Sequence, residues 1–270
     1  MSASFRRCFR ALDLTVSVAS DVPTVAATLD MLTSCYELVP RAEDYAYTID
    51  QASSYTARVN DVVLYESASE HEVVSAIELD IYDRVMRAAQ GRWLVHAATL
   101  AHDDRGLVLV GASGAGKSTM ALALVAKGAS YVTDEMTLID ERGVCRGLGR
   151  PLTLESRPDA MFTQGMRVAV AGSGAAQSVW VAPPPERRSV TALERHTWVH
   201  LSQGPGELRR LTSGEALVAF WGQSLTTDAR ALAIATDVVS GMPAYAVRGQ
   251  SIAESAELLE SLLAGPGGSN

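Results

Sequence analysis

The segment GLVLVGASGAGKSTMALALVAKG, residues 106–128, constrains the fold more than any other part of the chain. An apolar run, Leu107–Val110, precedes a glycine-rich stretch, and a helical pattern follows it up to Gly128. Glycine carries no Cβ atom, so the backbone of such a stretch can curve tightly. A strand, a glycine-rich turn and a helix in this order predict an α/β fold with the turn at the carboxyl end of a buried strand.

Residues 111–118, GASGAGKS, match the pattern G-x-x-x-x-G-K-[ST] of phosphate-binding loops. The backbone N–H groups from Ser113 to Thr119 are expected to point at anionic oxygens, and the helix start adds its positive dipole end. We expect Lys117 to reach the β- and γ-phosphates of ATP and Ser118 to offer its hydroxyl to Mg²⁺. The predicted nucleotide-binding residues are Gly111, Ala112, Ser113, Gly114, Ala115, Gly116, Lys117, Ser118 and Thr119.

Two adjacent acids interrupt the next apolar segment, YVTDEMTLID. Phosphoryl transfer needs a carboxylate that binds the metal or accepts the proton of the attacking hydroxyl. Because ligands of open sheets bind at the carboxyl ends of strands, we predict that Asp134 lies near the metal, although solvated turn acids would give the same pattern. His96, on an earlier apolar strand, either contacts phosphate, tunes Asp134 or is simply packed. The predicted catalytic residues are Asp134, Lys117, His96 and Glu135, and the predicted metal ligands are Ser118, Asp134 and Glu135.

Composition excludes several classes of protein. The chain has 270 residues, of which 47% are hydrophobic, and a net charge of −8. The acidic balance argues against a nucleic-acid partner, and no apolar run is long enough to predict a membrane span. The cysteines, Cys8, Cys35 and Cys145, are odd in number and widely spaced, which favours reduced thiols in the cytoplasm.

Residues 1–90 are predicted to form a small N-terminal α+β region. Alternation of apolar and polar residues predicts a strand at 11–19 and argues against an export signal there. The remaining predicted elements are a helix over 20–38 with Ser20 or Asp21 as its cap and Pro23 in its first turn, strands at 44–50 and 55–67 with a hairpin turn at Asn60–Asp61, and a helix over 70–91 that ends at Gly91.

Residues 91–264 are predicted to form the core, and 265–270 a disordered tail. The core begins with two strands around a turn at Asp103–Gly106. It continues with a helix over 116–128, strands on both sides of the acidic pair within 130–140, and a turn at 141–143. Beyond these, loops are predicted at 170–178 and 182–189, a strand at 197–204, and helices at 213–225 and 252–265. Arg209–Arg210 are expected to open the helical segment at 213–225.

Other candidate residues carry less specific signals. Arg187 and Arg188 either clamp a phosphate or an acidic substrate or are solvated loop side chains. The segment LSQGP, residues 201–205, is similar to a signature of ABC ATPases, but the order of the surrounding motifs differs, so we interpret it as a coincidence. Trp198, Trp221 and Tyr245 are most simply core residues.

The segment LVHAATLAHDDRGLVLVGASGAGKSTMALALVAKGASYVTDEMTLID resembles the catalytic core of the bacterial HPr kinase/phosphorylase family. It is more similar to the shorter HPr-kinase-related proteins found beside peptide-tailoring genes, including lasso-peptide kinases. The histidine-bearing strand, the short hairpin, the phosphate-binding loop and the acidic pair carry the resemblance. It implies a P-loop core akin to phosphoenolpyruvate carboxykinase.

The resemblance also implies roles for individual residues. Lys117 and Ser118 would hold nucleotide and Mg²⁺, Asp134 would accept the proton of a serine hydroxyl, and His96 would match the neighbouring histidine. Glu135 stands where true HPr kinases have a second aspartate. Arg150, in RPLTLES, matches an Arg-Pro-Leu segment and would lie near phosphate.

We therefore predict an ATP-dependent kinase that phosphorylates a serine- or threonine-type hydroxyl of a peptide, protein or small molecule. HPr itself is not the expected acceptor, because the rest of the family signature is not recognisable. A nucleotide-binding regulatory module and an ATPase without a phosphoacceptor remain alternatives, and a homo-oligomer remains open.

Overall fold

The computed structural model describes residues 5–42, 44–172, 177–204, 206–249 and 251–264. The helices of these ranges are α1 (Pro23–Leu32), α2 (Glu70–Ala88), α3 (Lys117–Ala126), α4 (Ser213–Trp221), α5 (Ala229–Gly241) and α6 (Ile252–Ala264). The strands are β1 (Phe5–Ala11), β2 (Leu14–Ser20), β3 (Glu37–Leu38), β4 (Tyr45–Gln51), β5 (Tyr55–Val59), β6 (Val62–Ser67), β7 (Trp93–His96), β8 (Ala98–His102), β9 (Arg105–Val110), β10 (Ser130–Thr133), β11 (Met136–Ile139), β12 (Cys145–Gly147), β13 (Leu152–Leu154), β14 (Arg167–Ala171), β15 (Ser178–Ala182), β16 (Arg195–Gln203), β17 (Glu207–Arg210) and β18 (Ala244–Gly249). The architecture is mixed α/β, as predicted. None of the described helices has the length and apolar character that spanning a bilayer requires.

The N-terminal region forms a mixed six-stranded sheet in the order β3-β1-β2-β4-β5-β6. The strand predicted at 11–19 is confirmed from Leu14, where β2 begins. Its predicted start is wrong, because β1 and β2 form a hairpin whose turn includes Leu12 at φ 55°. Leucine is rare at positive φ, so the sequence carries no turn signal there. The hairpin at Asn60–Asp61 is confirmed, with φ values of 47° and 66° that asparagine and aspartate tolerate well.

Helix α1 is shorter than predicted and is not capped by a side chain. Its N-cap is Val22, while the Ser20 hydroxyl accepts a hydrogen bond from the Val22 N–H at 3.2 Å and donates one to the Ile49 carbonyl at 2.8 Å. The predicted caps Ser20 and Asp21 are therefore wrong. Residues beyond Leu32 leave the helix, and Glu37 pairs with β1 as part of β3.

The second six-stranded sheet has the order β10-β8-β9-β16-β18-β17 and contains the glycine-rich segment. Strand β8 runs antiparallel to both β9 and β10, and β9, β16 and β18 are mutually parallel. The carboxyl ends of β9, β10, β16 and β18 therefore share one edge of the sheet. Both faces of β9 are buried: Leu107 and Leu109 lie in one hydrophobic cluster, Val108 and Val110 in another. An apolar run without alternation is typical of such a strand.

The apolar segment before the P-loop forms two strands in different sheets. Strand β7 pairs with β11 in the three-stranded sheet β12-β11-β7, whereas β8 joins the second six-stranded sheet. Ala97 is the point of divergence, and its N–H donates to the Glu135 carbonyl at 3.2 Å. The predicted turn residue Gly106 belongs to β9, where a Cβ atom would lie 2.9 Å from Leu193 Cδ1. Its glycine therefore permits close packing.

The carboxyl-terminal part contains elements that were not predicted, namely α5, β17 and β18. Arg209 and Arg210 lie in β17 and do not open a helix; α4 begins after Thr212, which forms a capping box with Glu215. The predicted helices at α4 and α6 and the strand at β16 are confirmed. A fourth sheet, β13-β15-β14, flanks the loop at 170–178. Residues 173–176 of that loop and the predicted tail at 265–270 lie outside the described residues.

Contacts join the N-terminal region to the core. One hydrophobic cluster extends from Phe9 to Leu259. Asp13, in the β1–β2 turn, forms ion pairs with Arg92 and with Arg146 of β12. The division at residue 90 stays a prediction.

His196 makes the free energy of unfolding depend on pH. Its Nε2–H donates to the Gly143 carbonyl at 2.7 Å, while Nδ1 is buried and has no hydrogen-bond partner among the described residues. Burial lowers the pKa of His196, and also the pKa of His96 and His200. Below about pH 6.5 the unfolded chain binds protons that the folded chain does not, so stability present above that pH is lost as pH falls.

We expect the His196→Gln variant to lose stability less steeply than the wild type as pH falls below about 6.5. Urea unfolding at a series of pH values measures this slope. His102→Gln is the matched control, since His102 is exposed. Equal slopes for the wild type and His196→Gln would contradict the assignment.

Candidate active site

The glycine-rich turn joins β9 to α3 and contains two left-handed residues. Gly114 has φ 77°, and Gly116, the N-cap of α3, has φ 89°. At Gly111 a Cβ atom would lie 2.7 Å from the carbonyl oxygen of Leu201 on β16. The turn is closed by a hydrogen bond from the Ala115 N–H to the Ala112 carbonyl at 3.0 Å. Glycine is thus required at three points, twice for conformation and once for close approach.

The first turn of α3 presents unpaired donors at the mouth of this loop. The first N–H groups of a helix have no partners within the helix, and Gly116 supplies no side-chain cap. Ser118 and Thr119 are half-buried there, whereas Ala112, Ser113 and Gly114 are exposed. Backbone donors and the positive end of the helix dipole together favour an anion at this position.

Lys117 is a buried cation under the loop, with 7% of its surface exposed. Its Nζ donates to the carbonyls of Gly111 at 2.9 Å and Ala112 at 3.3 Å. Burial lowers the pKa of Lys117, while the carboxylates of Glu135 and Asp134 raise it. The structure therefore brings the predicted loop lysine within electrostatic range of both predicted acids.

Asp134 follows β10 and is held by two neutral donors. Its Oδ1 accepts from the Tyr131 hydroxyl at 2.9 Å, and its Oδ2 accepts from the Thr153 N–H at 3.0 Å. The residue is 2% exposed. A carboxylate offers about four lone-pair sites, so each oxygen keeps one for a further donor or ligand.

Glu135 is more open than Asp134. Its Oε2 accepts from Arg150 Nη1 at 3.1 Å, and its Oε1 accepts no hydrogen bond from the described residues. Burial raises the pKa of Glu135, and Arg150 opposes that change. One carboxylate is therefore fixed by neutral groups and the other by a cation.

His96 ends β7, opposite Met136 of β11, and is half-buried. Burial and the charge of Lys117 lower the pKa of His96, whereas Asp134 raises it. These interactions place His96 in the same electrostatic environment as Lys117 and Asp134. The ring is neutral at pH 7, since its pKa lies below the usual value of about 6.5.

Arg187 and Arg188, predicted as possible clamps for a phosphate or acidic substrate, do not belong to this site. Arg187 Nη1 donates to the Val125 carbonyl at 2.7 Å, near the carboxyl end of α3 and roughly 12 Å along the helix axis from Lys117. Arg188 donates to the carbonyls of Pro183 and Ser34. Both guanidinium groups satisfy backbone carbonyls.

A cavity of about 770 Å³ adjoins the phosphate-binding loop. It lies between the loop and the carboxyl ends of β16 and β18, and its wall includes the start of α6. Its lining includes Gly114, Met120, Gln203, Gly249, Ile252 and Ser255. Residues 201–204, interpreted as a coincidental motif, thus lie at the site. They reach the site because β16 is the parallel neighbour of β9. The spacing of the segments in the sequence does not show which strands are neighbours.

The residues fit a magnesium ion bound mainly through phosphates. Among the described residues, no three His, Cys, Asp or Glu side chains converge to hold a metal. Mg²⁺ commonly takes only one or two carboxylates and completes its shell with phosphate oxygens and water. The Ser118 hydroxyl, the Glu135 Oε1 atom and the remaining lone pairs of Asp134 are of the type it prefers.

Neither a comparison with family models nor a search of curated proteins finds a match for this chain. Among solved structures, the chain is similar to the Hpr(Ser) kinase/phosphatase from Coxiella burnetii, with a TM-score of 0.31 and 14% identity. That match covers 63% of this chain and 96% of that chain. At this level of similarity, a functional conclusion rests on the geometry of the site.

We expect Gly111→Ala to destabilise the protein by about 1–3 kcal/mol, because the added methyl group would meet the backbone of β16. Gly214→Ala is the matched control: Gly214 lies in α4, and a Cβ atom there would meet nothing within 4 Å. The control is expected to be neutral or stabilising by up to about 1 kcal/mol. Urea unfolding measures both, and equal stabilities would contradict the close approach.

Proposed function

We propose that this chain is an ATP-dependent phosphotransferase with a P-loop core of the HPr-kinase and phosphoenolpyruvate-carboxykinase type. The acceptor is a serine- or threonine-type hydroxyl of a peptide, protein or small molecule. One observation carries the proposal: the buried Lys117 of the loop lies within electrostatic range of the adjacent acids Asp134 and Glu135. A phosphate-binding loop alone fits any nucleotide-binding protein, whereas a loop beside a carboxylate pair fits phosphoryl transfer.

The nucleotide would lie across the edge where β9, β16 and β18 end. Its phosphates would take the N–H groups of the loop and the first turn of α3, with Lys117 Nζ turning from the loop carbonyls toward the β- and γ-phosphates. The nucleoside would occupy the adjoining cavity, whose volume of about 770 Å³ lies within the usual range for ligand sites. Met120 and Ile252 offer apolar surface to a base, and Gln203 offers an amide.

The hydroxyl of Ser118 and the carboxylate of Glu135 would hold Mg²⁺. When bound, the ion would neutralise charge on the β- and γ-phosphates. Glu135 suits this role because Oε1 is uncommitted while Arg150 fixes Oε2.

Asp134 is the proposed general base. The Tyr131 hydroxyl and the Thr153 N–H fix the orientation of its carboxylate, so that a remaining lone pair can accept the proton of an incoming hydroxyl. His96, neutral beside Lys117, is available to assist without adding charge. The positioned acceptor and the phosphate would then react in line, with orientation supplying much of the rate.

Replacing the loop lysine tests nucleotide binding. We expect Lys117→Ala to weaken ATP binding by about 10- to 100-fold, because a charged hydrogen bond to phosphate is lost. Lys127→Ala is a close control, since Lys127 is the only other lysine and pairs with Glu260 at the far end of α3. Calorimetric titration with ATP measures both. Equal weakening in the two variants would contradict the site.

Replacing the proposed base tests chemistry separately from binding. We expect Asp134→Asn to lower the transfer rate by about 10²- to 10⁴-fold and to leave ATP affinity unchanged. The asparagine can keep both contacts, because the Tyr131 hydroxyl can donate to the Arg150 carbonyl at 2.8 Å and accept from the new amide. Asp104→Asn, at an exposed turn residue, is the control.

The acceptor is sought by incubating the protein with γ-labelled ATP and peptides encoded by neighbouring genes, followed by mass measurement. A gain of one phosphate supports the kinase. Release of free phosphate alone indicates an ATPase, and binding without turnover indicates a regulatory module. Full transfer by Asp134→Asn would overturn the assignment of the base.

A further inference from the structure

The segment around Arg150 is inserted between the N-terminal region and the acidic pair. At Gly149 a Cβ atom would lie 2.7 Å from the carbonyl oxygen of Cys35, so the backbones of the two regions are in direct contact. Tyr36 is buried and Tyr82 half-buried near the guanidinium, and Arg150 lies 5.6 Å from the centre of the Tyr82 ring. The segment is thus enclosed by residues from both regions.

The Arg150 side chain, 5% exposed, bridges two carboxylates from these regions. Its Nη1 donates to Glu135 Oε2 at 3.1 Å, and its Nη2 lies 2.9 Å from Oε1 of Glu78 on α2. Nη2 also donates to the Thr153 hydroxyl, while Nε is buried and has no hydrogen-bond partner in the part of the chain that the structure describes. The Tyr82 hydroxyl donates to the same Glu78 oxygen at 3.0 Å.

The main chain of the same segment fixes the other acid. The Tyr131 hydroxyl lies 2.8 Å from the Arg150 carbonyl oxygen and 2.9 Å from Asp134 Oδ1, and its single proton is donated to one of these two acceptors at a time. The Thr153 N–H donates to Asp134 directly. Residues 150–153 therefore hold both acids, one through the guanidinium and the other through backbone groups and Tyr131.

We propose that Arg150 is a positioning residue for the acidic pair and that Glu78 makes helix α2 part of the phosphotransfer unit. Because Glu78 and Glu135 share one guanidinium, Glu78 limits how tightly Arg150 binds Glu135 and leaves Glu135 Oε1 directed to the metal. Without Glu78, the buried cation keeps Glu135 as its ion-pair partner among the described residues and binds it more tightly. This inference rests on the proposed function.

The test compares three variants. Glu78→Gln removes the remote carboxylate and retains the shape of the side chain. Arg150→Lys retains the charge, but one ammonium group cannot reproduce the fork that spans both acids. Asp83→Asn is the matched control: Asp83 lies on α2, half-exposed, and pairs with Arg87 at 2.8 Å.

The measurement is calorimetric ATP binding with Mg²⁺ and with EDTA, which requires no acceptor. We expect Arg150→Lys to lower the gain in affinity due to Mg²⁺ by about tenfold, as is typical when a group that orients a metal ligand is replaced. Glu78→Gln is expected to lower the same gain, and both variants to keep the affinity measured in EDTA. Asp83→Asn is expected to match the wild type.

Two results would overturn the inference. Either both variants keep the full Mg²⁺-dependent gain, or both lose affinity equally with and without Mg²⁺, which is the result of a merely structural role. Failure of the proposed function looks different, because the wild type itself would then bind no ATP. If the wild type binds Mg²⁺ and ATP but transfers no phosphate, the binding measurements still decide the role of Arg150.

Discussion

The site depends on the balance of charges buried between the phosphate-binding loop and the acidic pair. Lys117 and Arg150 are buried cations, and Asp134, Glu135 and Glu78 are the carboxylates near them. Charges of either sign are costly to bury alone and are retained only when paired and hydrogen-bonded. Each group therefore depends on the others for its ionised form. A further anion can bind beside the cluster at the start of α3, where the first backbone N–H groups have no partners within the helix.

Strand direction places these charges together. The loop follows β9 and the acids follow β10, and the two strands run in the same direction because the antiparallel β8 lies between them. Divergence of the chain at Ala97 then sends β7 to another sheet, which leaves His96 beside the acids. The break in an apolar segment thus determines which sheet His96 belongs to.

Local chemistry made the loop and the acids predictable from sequence. Gly116 and Lys117 stand at the positions that the pattern G-x-x-x-x-G-K-[ST] of phosphate-binding loops requires. The apolar runs before and after the loop indicate the strand and the helix. Helix α5 also carried a readable signal, since Asp228 caps it by accepting from the N–H groups of Arg230 and Ala231. The turn at Leu12 carried none, because a leucine at positive φ is stabilised only by the surrounding packing.

The parts of the structure that could not be predicted depend on contacts between residues far apart in the sequence. Two roles were left open for Arg187 and Arg188, a clamp and a solvated side chain. Neither could identify their partners, because the carbonyls of Val125 and Ser34 that accept from the guanidinium groups lie far along the chain. The cavity beside the loop needs the order β9-β16-β18, which sequence spacing leaves open.

Contacts between residues far apart in the sequence also bear on the boundary predicted at residue 90. A composition change locates a division in sequence, but it does not show whether the two parts act separately. Here Asp13 pairs with Arg92 and Arg146, and Glu78 reaches Arg150. Exposed ion pairs such as those of Asp13 contribute little, about 0–1 kcal/mol each, whereas a buried carboxylate beside a buried guanidinium cannot be removed without leaving a charge unpaired. The Glu78–Arg150 pair is therefore one of the contacts that connect the N-terminal region to the acids.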